Sequence, residues 1–296
     1  MDVKLARELI KTKTVQELST YLTSGLSFSL SDVPPAKQAF LLAQQLKPVE
    51  HSEEYTIALK VKSYNASCGS LDGLQCDLCN NKGFVMGIDE NGSESLTECV
   101  CMNRRRSIQR AQRSGMGELL QKSLDNYEIT ESWQQTFVNG ARYYIANQHG
   151  EWYMMAGQSG TGKTHICSAI VNDYIHKGKS AIYMQWTSAV KELKLQATED
   201  YANILHKYIK TDVLYIDDLF KGKVTDADLT IAFEIINARA IRSDAITIIS
   251  TERSLDELNQ LDSATAGRIA QRCGRYIVNI KPDPAKNYRF RGVVSI

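Results

Sequence analysis

The sequence predicts an α/β protein built on a parallel sheet, preceded by two smaller modules. From about residue 122 onward, strand-like apolar runs alternate with helical stretches, which is typical of a parallel sheet. One run, residues 152–156, leads into a glycine-rich segment and then into a helical pattern. Another apolar run ends in two consecutive carboxylates, Asp217 and Asp218. These observations together indicate a parallel sheet with a phosphate-binding site at the ends of its strands.

Composition narrows the class of protein. The 296 residues have room for two or three compact units, at about 150 residues per domain. The net charge of +1 means that any nucleic-acid-binding surface is a local patch. No apolar stretch approaches the ~20 residues of a membrane span, and the N-terminus lacks the apolar core of a signal peptide. Seven cysteines without a secretion signal predict a cytoplasmic protein that does not contact a membrane.

Four segments differ in their sequence pattern. Residues 1–66 carry leucines near the helical period, which predicts a helical module. Residues 67–103 hold five of the seven cysteines and are dense in Gly and Asn. Residues 104–121 are rich in arginine and predict a connecting basic helix. Residues 122–296 then form the predicted α/β domain.

A P-loop follows the first buried strand of that domain. The pattern G-x-x-x-x-G-K-T is complete, and its residues are Gly157, Gln158, Ser159, Gly160, Thr161, Gly162, Lys163 and Thr164. The glycines let successive backbone N–H groups point at phosphate oxygens, at the positive end of the following helix. Lys163 is predicted to reach the β- and γ-phosphates of ATP, and the Thr164 hydroxyl to ligate Mg²⁺.

Two further strand ends are predicted to lie beside the phosphates. Asp217 is the expected Mg²⁺ partner, and Asp218 is expected to orient or deprotonate the attacking water as a catalytic residue beside Lys163. A later strand, residues 245–250, ends in Thr251 and Glu252, either of which can contact the γ-phosphate. Taken alone, an apolar run followed by Asp-Asp is common at strand ends, and the P-loop is what favours the functional interpretation.

The cysteine-rich segment predicts a zinc site. Two pairs, C-x₂-C and C-x-C, flank a predicted β-hairpin with Asn-Gly at its turn, and the four residues are Cys76, Cys79, Cys99 and Cys101. A hairpin brings the pairs together, as a tetrahedral Cys₄ zinc site requires. A unit of ~35 residues with few large apolar residues also needs a metal to fold. The alternative interpretation is a set of reduced cysteines in a small core.

Several segments resemble one family of ATPases. The strings GQSGTGKTH (157–165), YIDDLFKGK, GRIAQR and NYR resemble AAA+ helicase loaders of the DnaC type. CDLCNNKGF and CVC resemble the zinc module of phage and prophage versions. The likeness covers about residues 76–292 and adds His165 to the predicted nucleotide site. It implies an AAA+ P-loop NTPase fold with a doubly wound sheet and with nucleotide at the carboxyl ends of the strands.

The resemblance also implies roles for three arginines. Arg272, or Arg268 one helical turn earlier, matches the arginine finger that reaches the ATP of a neighbouring subunit. Arg289 matches a second sensor arginine that contacts the nucleotide of its own subunit. For each of them the alternative is a solvated helix face. Many relatives carry Asn at the first sensor position, where this chain has Glu252, so Thr251 stays an alternative there.

The resemblance implies a slow ATPase that loads a DnaB-like hexameric helicase onto single-stranded DNA in a bacterial cytoplasm. Residues 1–66 would bind the helicase, and the ATPase domain would self-associate. Basic residues 104–113 are a candidate DNA contact, with a solvated linker helix as the alternative. Two other hypotheses are a transposition helper ATPase of the IstB type and a nucleotide-dependent adaptor that does not hydrolyse ATP.

Overall fold

The structure is a computed structural model that describes residues 53–290. They divide into two compact units, of which the first ends at Glu98 and the second begins at Cys99. Most of the helical module predicted for residues 1–66 therefore lies outside the described residues, and only its last 14 residues can be placed. Within residues 53–290 no helix combines the length and the apolar character that crossing a membrane requires.

Among its described residues, the first unit contains one helix and the predicted hairpin. Helix α1 is Glu53–Ala66, and strands β1 (Phe84–Ile88) and β2 (Glu94–Glu98) pair antiparallel. The Asn65 side chain accepts from the backbone N–H of Met86 and donates to its carbonyl, so an amide of α1 pairs with β1 as a strand residue would. At the turn, Gly92 has φ +82° and follows the predicted Asn91.

The second unit alternates strands and helices. Its strands are β3 (Tyr153–Gly157), β4 (Ala181–Gln185), β5 (Val213–Asp217), β6 (Ile246–Thr251) and β7 (Ile277–Ile280). Its helices are α2 (Cys101–Arg113), α3 (Ser132–Asn147), α4 (Lys163–His176), α5 (Trp186–Leu195), α6 (Thr198–Lys210), α7 (Asp226–Ala240), α8 (Leu255–Leu261) and α9 (Ser263–Cys273). Three 3₁₀ turns, Gly117–Gln121, Pro284–Lys286 and Tyr288–Phe290, complete the described elements. The predicted linker helix of residues 104–121 is therefore α2 followed by the first of these turns.

The five strands form one parallel sheet in the order β4-β5-β6-β3-β7. Because side chains alternate along a strand, β3 contributes to both faces of the sheet. Tyr153 and Met155 join a core cluster with Ile166 of α4, whereas Met154 joins a second cluster with Ile235 of α7. Helices thus cover both faces, and the predicted α/β fold with a doubly wound parallel sheet is confirmed.

Strand register brings the predicted site residues to one edge of the sheet. In the ladder, Ala156 of β3 lies opposite Thr251 of β6, and Ile216 of β5 lies opposite Ile249. The carboxyl ends of three neighbouring strands therefore lie side by side, with the P-loop leaving β3 and Asp217 ending β5. A phosphate site can form here because parallel strands end at a common edge.

Candidate nucleotide site and cysteine cluster

Among the P-loop glycines, Gly160 and Gly162 occupy positions that other residues rarely adopt. Gly160 has φ +80°, and Gly162, which caps α4, has φ +82°. A β-carbon would lie 1.9 Å from Oδ1 of Asn287 at the first position and 2.5 Å from the Tyr127 hydroxyl at the second. The loop therefore wraps closely between these neighbours, with its amides at the positive end of α4, as anion binding requires.

Lys163 lies inside the loop. Its Nζ donates to the carbonyls of Gly157 (2.6 Å) and Gln158 (2.7 Å), and the residue is buried. Burial lowers the pKa of the Lys163 ammonium, while the carboxylates of Glu252 and Asp218 act in the opposite direction. The structure thus holds a desolvated cation within the P-loop. In such a poorly solvated site the electrostatic attraction between the cation and an anionic phosphate is strongest.

Several predicted cofactor-binding side chains hold the loop in place. The Gln158 amide makes two hydrogen bonds of 2.6 Å with the backbone of Asp283, and the Thr161 hydroxyl donates to the Gln158 carbonyl. His165 Nε2 bonds Ser123 O (2.9 Å) and Asn126 Oδ1 (3.0 Å). These side chains tie the P-loop to segments before β3 and after β7, and the loop's backbone is left to face the cavity.

The predicted magnesium pair is assembled beneath the P-loop. The Thr164 hydroxyl donates to Asp217 Oδ1 across 3.2 Å, and Asp217 is 5% exposed. Oδ1 also accepts from Tyr215 (2.8 Å) and from the Ser250 hydroxyl, whereas Oδ2 accepts from Tyr183 (2.9 Å). A hydroxyl and a carboxylate oriented in this way form a donor set suited to Mg²⁺.

Sequence reasoning missed the three hydroxyls that orient Asp217. Tyr183 lies opposite Tyr215 on β4, so both rings share a face of the sheet with Asp217. Ser250 lies on β6, whose predicted role concerned only its last residues. The sequence does carry one clue to the Tyr215 contact. Tyr215 stands two residues before Asp217 in a strand, and this spacing puts both side chains on the same face of the sheet.

The carboxylate predicted to be catalytic lies in a tight loop that follows β5. Asp218 takes φ +60°, its N–H donates to Ser250 Oγ (3.1 Å), and its carboxylate accepts from Lys221. Glu252 lines the same cavity wall, and Lys221 contacts it as well. Thr251 instead is fully buried and donates to the Leu219 carbonyl (2.8 Å). Of the two first-sensor alternatives, the structure thus places Glu252 at the cavity.

A cavity of about 500 Å³ extends from the P-loop. It is lined by the charged side chains of Lys163, Asp218 and Glu252 and by the aromatic side chains of Tyr127 and Trp133. Charged, hydrogen-bonding and aromatic groups together fit a nucleoside triphosphate, and the cavity volume falls in the range of small-molecule sites.

The three predicted arginines lie in different environments. Arg289 Nη1 donates to Ser159 Oγ (2.9 Å) at the cavity. Arg272 Nη2 donates to the carbonyls of Gly150, Arg242 and Ala245, beside the amino ends of β3 and β6, and its guanidinium lies 5.4 Å from the Trp152 ring centroid. Arg268 is exposed and contacts Asn237 and Gln271. The structure brings only Arg289 to the chain's own P-loop.

Comparison with known proteins identifies the family. A family model described as "IstB-like ATP binding protein" matches residues 95–283, which include the P-loop, Asp217 and Asp218. The chain belongs to this family. Membership in the IstB-like ATP-binding family accounts for the P-loop, and the predicted resemblance to the DnaC and IstB group is confirmed.

Relatives of this IstB-like chain carry phage-element and loader names. "Uncharacterized protein YqaM" of Bacillus subtilis (strain 168) is 29% identical over 63% of the chain and 64% of its own length, so the chain spans less than two thirds of that relative. "Phage-like element PBSX protein XkdC" of the same strain is 29% identical over 74% of the chain and 87% of its own length. "Replicative helicase loader DnaC" of Escherichia coli (strain K12) is 27% identical over 54% and 67%.

Solved structures are also similar to the IstB-like domain. The crystal structure of DnaI is 20% identical, with a TM-score of 0.47, over 58% of this chain and 93% of that one. The crystal structure of the DnaC helicase loader is 20% identical, with a TM-score of 0.44, over 55% and 99%.

The four predicted zinc ligands of the IstB-like chain form a cluster. The sulfurs of Cys76, Cys79, Cys99 and Cys101 all lie within 4.8 Å of one another. Zn–S bonds of about 2.3 Å in a tetrahedron place sulfurs about 3.8 Å apart, so the donor set fits the metal. Three of the four residues are buried, and the Gly83 N–H donates to Cys79 Sγ (3.4 Å), as amides commonly do around thiolate ligands.

The other cysteines differ from this cluster. Cys167 and Cys273 are fully buried core residues in helices α4 and α9. Burial raises the pKa of both thiols, so they stay protonated and are poor metal ligands. Among the described residues, metal-ligating side chains gather in a group of three or more only at the Cys₄ cluster.

Proposed function

We propose that this chain is an ATPase that loads a replicative hexameric DNA helicase onto single-stranded DNA. The observation that carries the proposal is the Thr164–Asp217 pair beneath a complete P-loop, with Arg289 at the same cavity. This arrangement supports Mg-ATP binding and hydrolysis. Relatives named as helicase loaders support the helicase as the partner, and they point to the bacterial cytoplasm as the place of action.

Each residue of the site has a separate proposed role in ATP hydrolysis. Lys163 and the loop amides would bind the phosphates, while Thr164 and Asp217 would hold Mg²⁺. When bound, Mg²⁺ neutralises charge on the phosphate oxygens. Asp218 would orient the attacking water and accept its proton, and Glu252 is the first-sensor candidate beside it. Arg289 would contact the phosphates of its own subunit, and a finger arginine would act on a neighbour's.

We also infer the division of labour along the chain. Residues 1–66 would bind the helicase, and the Cys₄ cluster within residues 67–103 would hold a structural Zn²⁺. Four thiolates complete a tetrahedral shell, so no position is left for substrate. Residues 104–121 would connect these modules to the ATPase domain of residues 122–296, which would assemble with further copies.

A second candidate function is a transposition helper ATPase. It is favoured by the description of the matched family, which is IstB-like. Genomic neighbours separate the two hypotheses, since a loader is expected beside replication genes and a helper beside a transposase gene. The third hypothesis, a non-hydrolysing adaptor, shares the nucleotide site and differs only in its need for Asp218.

The test is co-purification of the full chain with its cognate hexameric helicase, with and without Mg-ATP. The loader function predicts capture by the parent chain, with ATP changing the amount retained. Lys163→Ala is expected to abolish the ATP effect, and Asp218→Asn to trap the helicase-bound state because hydrolysis no longer releases it. An adaptor predicts that Asp218→Asn behaves as the parent does. Failure of the parent chain to capture the helicase in either condition removes the loader hypothesis.

A further inference from the structure

Lys221 bridges the two carboxylates on the catalytic wall of the cavity. Its Nζ lies 2.8 Å from Asp218 Oδ2 and 3.4 Å from Glu252 Oε1. Its side chain is 40% exposed and lines the same cavity as Lys163. The hydrogen bond to Asp218 raises the pKa of Lys221, so the ammonium stays charged at neutral pH. A permanent cation therefore lies against the group proposed to activate water.

Other contacts hold the loop that carries this lysine. Asp218 and Phe220 both take positive φ, +60° and +56°, an unusual backbone for residues with side chains. The Asp218 N–H donates to Ser250 Oγ, and Arg253 Nε donates to the Phe220 carbonyl (3.0 Å). Phe220 is buried and packs edge-on against Trp186. The backbone position of Asp218 is thus fixed without the Lys221 ammonium.

We propose that Lys221 is a positioning residue that restrains Asp218 and slows ATP hydrolysis. The inference rests on the proposed function of the same site. The ammonium donates to Oδ2, one of the two oxygens with which Asp218 can accept the proton of water. While the ammonium occupies Oδ2, that oxygen is not available to bind the attacking water, and the carboxylate is held in one orientation. Glu252 contacts the ammonium from the other side and keeps it on the cavity wall.

The test compares Lys221→Met with Lys221→Arg and with Lys223→Met in the full chain. Lys221→Met removes the charge but keeps most of the side-chain length, and we expect kcat to rise about two- to five-fold, the range of a partly exposed ion pair, with KM for ATP unchanged. Lys221→Arg keeps a cation and is expected to retain the slow rate. Lys223 is exposed in the same segment, so Lys223→Met serves as the matched control.

A double-mutant cycle assigns the effect to Asp218. In an Asp218→Asn background, Lys221→Met is expected to leave the residual rate unchanged, because the restrained group is gone. A lower kcat for Lys221→Met, a raised KM that signals direct phosphate binding, or a lowered melting temperature overturns the inference. If Asp218→Asn is slow but Lys221→Met is no faster than the parent, the inference alone fails. If Asp218→Asn hydrolyses ATP as fast as the parent, the proposed hydrolytic function fails as well.

Discussion

The Thr164 hydroxyl donates to Asp217 Oδ1 across 3.2 Å, although 53 positions separate the two residues. Thr164 lies in the first turn of α4, and Asp217 ends β5, so the fold brings them together at the edge of the sheet. In the proposed site the same two groups hold Mg²⁺. The contact between them therefore reports where the metal would bind.

Removing the Thr164 hydroxyl should weaken binding of Mg-ATP but not of metal-free ATP. Thr164→Val keeps the shape of the side chain and loses one oxygen, and we expect affinity for Mg-ATP to fall about ten-fold, the value of roughly 1.4 kcal/mol. The measurement is calorimetric titration with Mg²⁺ and with EDTA. Thr230→Val, on the exposed face of α7, is the control. If affinity falls equally with Mg²⁺ and with EDTA, the Thr164 hydroxyl contacts the phosphates and not the metal.

Lys163 is expected to destabilise the fold without nucleotide and to strengthen the binding of ATP. Because burial lowers the pKa of its ammonium, the folded protein pays for desolvating a charge that only backbone carbonyls contact. Lys163→Met should therefore melt at the same or a higher temperature than the parent without nucleotide. Its affinity for ATP should fall about 100-fold, since a charge-assisted contact is lost.

Thermal melting with and without Mg-ATP separates these two effects. The parent should be stabilised by saturating nucleotide, and Lys163→Met should show almost no shift. Lys177→Met is the matched control, because Lys177 lies at the other end of α4 and pairs with Asp173 on the surface. A variant at 163 that melts lower without nucleotide, yet still shows the full shift, contradicts the prediction.

The nucleotide site could be predicted where sequence spacing fixes geometry. Gly160 and Gly162 occupy positions that reject any β-carbon, and the following lysine must open a helix, so the motif dictates its own fold. The sequence predicts the end of β5 to within one residue, because the apolar run stops at two consecutive carboxylates. Trp152, predicted as strand, instead precedes β3 and donates its indole N–H to the Ala245 carbonyl.

Contacts between strands and within the loop after β5 could not be predicted. Tyr183 reaches Asp217 only because Gln185 lies opposite Asp217 in the β4–β5 ladder, and a single sequence carries no information on that register. Lys221 turns back onto Asp218 because Asp218 and Phe220 take positive φ, a conformation that their side chains do not favour. Such backbone is imposed by tertiary packing rather than by local preference.

The cysteine cluster is expected to bind one zinc ion per chain. Its four sulfurs lie within 4.8 Å, and repulsion among thiolates at that separation is relieved only by a metal or by protonation. Metal analysis of the full chain should find about one Zn²⁺, and Cys79→Ser should lose most of it. Cys68→Ser is the control, since Cys68 is exposed and lies outside the cluster.

Zinc removal should act on the cysteine cluster and leave nucleotide binding intact. The proposed metal site shares no side chain with the cavity around Lys163, so chelation should not change affinity for Mg-ATP measured after Mg²⁺ is restored. Proteolysis should instead become faster near the hairpin of residues 84–98. Full metal content in Cys79→Ser would show that the cysteines are merely packed together.

The two finger candidates should respond differently to substitution. Arg272 bonds three backbone carbonyls and lies over Trp152, so Arg272→Ala is expected to lower the free energy of unfolding by about 2–4 kcal/mol. Arg268 is exposed and bonds only side chains, so Arg268→Ala should leave stability almost unchanged. Because those bonds to Asn237 and Gln271 can be exchanged at little cost, we expect Arg268 to act as the finger.

Mixing two inactive variants tests whether this arginine acts on a neighbouring subunit. Arg268→Ala keeps an intact P-loop but lacks the finger, whereas Lys163→Ala keeps the finger but cannot bind nucleotide. In mixed assemblies the finger of the second can reach the nucleotide of the first, so ATPase activity should reappear at intermediate ratios and be absent at either extreme. Arg275→Ala, at the surface beside Tyr143, is the control and should behave as the parent does. If ATPase activity recovers with Arg272→Ala but not with Arg268→Ala, the finger is Arg272. Its contacts with Gly150 and Ala245 would then have to break on assembly.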